Sequence, residues 1–178
     1  TRRQIDQAVA CGYDAIGVVT YPKSTRYCPH TRALELAAHA RGRIRTVVVG
    51  KTYDDVKAVA RAFDYTQIHE ARQVPNLLLA MKDLPPPEIR YEFFIYDASI
   101  GSGIFKPFPE WVKAMASKII LAGGLTPKNV CSVIRAIRPY GVDVSSGVET
   151  DGAKDFGLMK AFIDAVKAAE RSAVTLAR

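Results

Sequence analysis

Apolar residues along the chain follow two alternating patterns. Near the start, Ile5, Ala8, Val9 and Ala10 fall on one helical face, and Gly12 ends that segment. Residues 14–19 (DAIGVV) then form a short apolar run suited to a buried strand. The sequence repeats this alternation. An amphipathic helix over 31–41 offers Leu34, Leu36, Ala37 and Ala40 to a core, a β-branched strand covers 44–49, and helix spacing returns over 53–63 through Val56, Val59, Ala60 and Phe63. Strands are expected at 65–69, 76–82 and 91–97, a helix at 108–116, and strands at 118–122 and 141–144. The last helix is expected over 153–170, with Leu158, Phe162, Ile163 and Val166 facing inward. About seven strands, most followed by a helix, predict a parallel α/β sheet.

Composition narrows this reading. With 178 residues, 48% of them hydrophobic, and no linker-like stretch, the chain is expected to form one domain over 1–178. Its net charge, 25 − 18 = +7, is scattered through the helices. Such a spread favours small anions over a nucleic-acid footprint. Cys11, Cys28 and Cys131 have neither disulfide-framework nor CxxC spacing, which suits a reducing compartment. No run is apolar enough to span a bilayer and the N-terminus lacks a signal-peptide layout, so a cytoplasmic protein without membrane partners is expected.

Two adjacent strand-to-helix turns carry candidate chemistry. Gly123 and Gly124 follow the 118–122 strand, and a helix opening near Pro127 would direct unpaired N–H groups at an anion. Ser145, Ser146 and Gly147 follow the next strand and offer the same service. One Gly-Gly turn can serve tightness alone, whereas two such turns in tandem favour a phosphate site.

The stretch LAGGLTPKNV, followed by GVDVSSGVE and a GxKD element, resembles the C-terminal quarter of the phosphoribosylanthranilate isomerases, tryptophan-pathway enzymes built as (β/α)8 TIM barrels. Upstream, DAIGVVTYPKSTRY resembles the family's second strand and following loop, TQIHE its QLHG strand, and IYDASIGSGIFKPFPEW its sixth strand with the glycine-rich loop after it. The resemblance implies a (β/α)8 barrel whose first strand would lie before Thr1, because this chain begins with a helix. Residues 69–76 and 82–91, the latter with Pro85, Pro86 and Pro87, are short for parallel crossovers, and the family carries helices there.

The implied reaction is an Amadori rearrangement of N-(5'-phosphoribosyl)anthranilate to its ketose, which needs one acid and one base and no metal or redox cofactor. Asp97 matches the family's general acid and ends an apolar strand; alternatively it caps a turn. Arg26 matches an arginine that holds the anthranilate carboxylate, although a solvated loop arginine is the simpler reading. His69 is assigned to substrate surroundings, with a hydrogen-bonded structural histidine as the alternative. Lys23 and Lys154 add positive potential or are merely solvated.

The family's base is a cysteine ending the first strand, expected here before Thr1. Cys11 and Cys131 read as buried small residues on helices, and Cys28 is a poor substitute without an electropositive setting. A non-catalytic phosphosugar-binding barrel, or another phosphosugar isomerase or aldolase of the same fold, are the alternatives. The resemblance also allows fusion to a neighbouring tryptophan-pathway enzyme.

Overall fold

The computed structural model describes residues 1–97 and 108–176. They divide into two compact units, Thr1–Phe94 and Ile95–Arg178.

In the first unit, helix α1 (Arg2–Cys11) starts at a capping box formed by Thr1 and Gln4 and stops at Gly12 in the left-handed conformation. It buries Ile5, Ala8 and Cys11, while Ala10 is exposed, so the apolar face lies one position further round than the sequence suggested. Strand β1 (Ala15–Val19) leads through a loop to helix α2 (His30–Ala40). This helix buries Ala33, Leu36, Ala37 and Ala40 and leaves Leu34 exposed. Small Ala33 faces inward because 33, 36, 37 and 40 share one helical stripe and 34 lies outside it.

Strands β2 (Arg45–Val49), β3 (Tyr65–Ile68) and β4 (Leu77–Met81) continue the unit. Strands β1 to β4 pair in parallel in chain order, with Val19 opposite Val49, Val49 opposite Gln67 and Ile68 opposite Leu79. Consecutive buried residues in β2 and β4 match a parallel sheet covered on both faces.

The α-helix expected over 53–63 is instead two 3-10 turns, Tyr53–Asp55 and Ala60–Ala62. Val56, Val59 and Phe63 are buried nonetheless. Side chains tie down the entry: Asp55 accepts from the N–H groups of Lys51 and Thr52, and Glu70 accepts from Tyr53 N–H at 2.9 Å. Neither 69–76 nor 82–91 contains a helix, as their length implied.

Strand β5 (Phe93–Asp97) starts in the first unit and ends in the second. The second unit continues with helix α3 (Glu110–Ala114), strand β6 (Ile119–Ala122), helix α4 (Val130–Ile137) and strand β7 (Gly141–Val142). Strands β6 and β7 are parallel, with Ile120 opposite Gly141. A two-residue hairpin, β8 (Glu149–Thr150) with β9 (Ala153–Lys154), precedes helix α5 (Phe156–Leu176). The last helix therefore starts after Lys154 rather than at Ala153. Met159, Phe162 and Ala169 form its buried stripe, with Leu158, Ile163 and Val166 half-buried beside it.

Candidate active site

The two glycine-bearing turns of the second unit touch. After β6, Gly123 and Gly124 both have positive φ (91° and 69°), so a side chain at either position would strain the backbone. The next residue, Leu125, is buried and pins the turn to the core. Asn129 then braces it: its Oδ1 accepts from Thr126 N–H at 2.7 Å, and its Nδ2 donates to the Gly124 carbonyl at 3.0 Å. The α4 helix consequently opens at Val130, three residues beyond Pro127, and the Thr126 N–H is already engaged.

Gly147 lies against this braced turn. A Cβ built on it would stand 1.8 Å from the Leu125 carbonyl oxygen and 3.2 Å from Thr126 Cα, so only glycine lets the second turn press onto the first. The sequence suggested Gly147 for close anion approach; its packing role is a separate, stricter requirement. Ser145 and Ser146 are exposed beside it.

The hairpin that follows supports Ser145. Lys154 is not a solvated lysine: its Nζ donates to the Ser145 carbonyl at 2.9 Å and to Ser145 Oγ at 3.0 Å, and pairs with Glu149 Oε1 at 2.6 Å. The Glu149 side chain is only 10% exposed, which leaves the pair partly sheltered from water. Asp155 fastens the same hairpin to α5, accepting from Leu158 N–H at 2.9 Å and from the Thr150 hydroxyl at 3.3 Å.

Asp97 ends β5 and is half-buried. The preceding Tyr96 is buried, and Phe108 and Trp111 meet its ring edge-on at 5.9 and 5.3 Å. Asp143, absent from the sequence-based candidates, shares the electrostatic surroundings of Asp97. Desolvation pushes its carboxyl above the usual carboxylate range, Lys154 opposes this, Asp97 adds to it, and the Val144 backbone opposes it. The residue also presents open surface, so water moderates the push. Its sequence signal was a carboxylate directly after the apolar pair of β7. The loop after Asp97, in which GSGIFK resembled a family glycine-rich run, lies at 98–107, outside the described residues.

Arg26 and His69 belong to the first unit. Arg26 and Lys23 are exposed in the loop after β1. Turns shape that loop, with Ser24 N–H on Tyr21 O, Tyr27 N–H on Ser24 O, and Arg26 N–H on Ser24 Oγ at 3.1 Å. Cys28 N–H closes it onto the Val19 carbonyl at 2.7 Å. Desolvation pushes the Cys28 thiol up, outweighing the pull of nearby positive charge, which disfavours the thiolate a base would need. Cys11 is buried and Cys131 half-buried on α4. His69, just past β3, donates its N–H to the Lys51 carbonyl at 3.1 Å and is half-buried like Gln67, while Thr66 and Ile68 between and beside them are buried. Among the described residues no cluster of His, Cys, Asp or Glu is placed to hold a metal ion, and no helix is long and apolar enough to cross a membrane.

A family model for N-(5'-phosphoribosyl)anthranilate (PRA) isomerase matches residues 106–165, which include both turns and the Lys154 hairpin. The N-(5'-phosphoribosyl)anthranilate isomerase of Chromohalobacter salexigens is 34% identical over 186 residues, covering 91% of this chain and 88% of that protein. The chain belongs to the N-(5'-phosphoribosyl)anthranilate isomerase family. The crystal structure of the phosphoribosyl anthranilate isomerase from Thermotoga maritima is similar at a TM-score of 0.76 and 26% identity, covering 94% of this chain and 95% of that one. The fold class is thus the (β/α)8 barrel of the isomerase family. A further isomerase structure, 25% identical with a TM-score of 0.68 and covering 94% of each chain, is a complex with reduced 1-(o-carboxyphenylamino)-1-deoxyribulose 5-phosphate.

Proposed function

We infer that this chain is an N-(5'-phosphoribosyl)anthranilate isomerase of tryptophan biosynthesis, an aldose-ketose isomerase acting on a small phosphosugar. The observation that carries this reading is the paired turn of 123–126 and 145–148, in which Gly147 lets two strand-end loops meet, within a chain of this family. Packed turns rich in glycine and serine suit a phosphate because backbone N–H groups and hydroxyls can converge on it. The phosphate-binding residues are accordingly Gly123, Gly124, Ser145, Ser146 and Gly147.

In the proposed reaction Asp97 protonates the furanose ring oxygen as the ring opens. A base then removes the C2′ proton, and the enolamine tautomerises to the ketose. Its placement at a strand end, with the Asp143 carboxylate in its electrostatic surroundings, supports this assignment of Asp97. In the family the resemblance points to, the base is a cysteine ending the first strand; the raised thiol pKa of Cys28 argues against that residue as a substitute. Arg26 receives the anthranilate carboxylate, for which a planar donor fork is suited, and His69 contributes to the substrate surroundings. A single barrel domain in the cytoplasm, without a cofactor, completes the proposal.

Equilibrium binding of the reduced product analogue, with inorganic phosphate as competitor, tests the reading. Competitive displacement by phosphate is expected. Analogue binding that phosphate does not weaken would overturn the phosphate assignment, and absence of analogue binding would overturn the substrate class.

A further inference from the structure

We propose that Lys154 is a positioning residue for the anion-binding turn, acting through Ser145 rather than by touching the phosphate; this rests on the phosphosugar reading above. An ammonium has three donors, and three acceptors surround Lys154 Nζ: Glu149 Oε1 at 2.6 Å, the Ser145 carbonyl at 2.9 Å and Ser145 Oγ at 3.0 Å. Its charge is directed at Ser145, and Glu149 offsets it there.

The consequence falls on the Ser145 hydroxyl. Because Oγ accepts from Lys154, its own proton is left to donate elsewhere, and its present acceptor, Glu149 Oε1, is distant at 3.5 Å. An oxyanion above the turn offers that proton a shorter, charge-assisted bond. Lys154 also grips the Ser145 carbonyl, fixing the peptide that leads into Ser146 and Gly147. With Gly147 seated on Leu125, the second turn is held at both ends, by packing at 147 and by the lysine at 145.

The charge pair has a separate role. Glu149 is largely buried, so removing Lys154 alone takes the paired ammonium from its carboxylate and lowers stability for a reason unrelated to the anion. Replacing both partners removes that complication and leaves Ser145 ungripped.

The test is calorimetric titration of the full chain with inorganic phosphate, alongside thermal melting, for wild type, Lys154→Met, Lys154→Met with Glu149→Gln, and Lys154→Arg. Both methionine variants are expected to bind phosphate about tenfold or more weakly, as for loss of a hydrogen bond to a charged group. The double variant should melt near wild type, and Lys154→Arg should recover part of the affinity. In turnover the loss should appear in KM rather than kcat. Wild-type phosphate affinity in the double variant would overturn the positioning role. Failure of the wild type itself to bind phosphate would instead overturn the phosphosugar reading.

Discussion

Gly147→Ala places one methyl group where the two turns meet, with a large expected effect. Its Cβ would lie 1.8 Å from the Leu125 carbonyl oxygen, against 3.4 Å for ordinary contact, so the turns must part by 3.4 − 1.8 = 1.6 Å or the chain must bend elsewhere. The obstructing atoms are backbone, and Leu125 cannot recede readily because its side chain is fully buried. Overpacking of this kind costs roughly 1–3 kcal/mol. For a protein of this size that lowers the melting temperature by about 2–12 °C. Function should suffer more than stability, because a displacement near 1 Å of a positioned group can cost about 100-fold. The assay is phosphate affinity and KM for the phosphosugar, measured beside a thermal melt. A variant with wild-type phosphate affinity would refute the reasoning, whatever its melting temperature, because the turns would then not need to touch.

Other residues give independent tests. Asn129→Ala removes both hydrogen bonds of the Gly124–Thr126 brace and should cost about 1–3 kcal/mol in denaturant unfolding, as for two intramolecular hydrogen bonds, together with weaker phosphate binding. Arg26→Ala should raise KM about 10- to 100-fold with little change in melting temperature, because its side chain is exposed and its proposed partner is the substrate carboxylate. An unchanged KM removes that role. Asp143 predicts a pH effect. Its folded pKa is raised, so as pH climbs above about 4 the unfolded chain releases this proton first and stability falls until the folded group also ionises. Asp143→Asn should therefore melt higher than wild type at pH 7, with the gap closing towards pH 4; an equal gap at both values counts against the shift.

The strands were legible because uninterrupted apolar runs such as 77–81 permit few other conformations when covered on both faces. Winding was less legible. Val56, Val59 and Phe63 carry helical spacing, and the side-chain bonds of Asp55 and Glu70 that hold the entry come from contacts the spacing does not show. The phase of α2 was misread by one position because Leu34 is larger than Ala33, yet the stripe shared with Leu36, Ala37 and Ala40 decides which is buried. At the site, Gly123, Gly124 and the serines stood out by type. The reasons for Gly147, Asn129, Asp143 and Lys154 did not, because each depends on a residue brought near by folding: Leu125, Gly124, Asp97 and Ser145.

The most direct measurement is the conversion of N-(5'-phosphoribosyl)anthranilate to its ketose by the wild type and by Asp97→Asn, with binding of the reduced product analogue measured on the same samples. The account predicts turnover by the wild type and a loss of about 10²- to 10⁴-fold in the variant, with analogue binding kept. Wild-type protein that binds the analogue without turning over substrate, or an Asp97→Asn variant of undiminished rate, would contradict it.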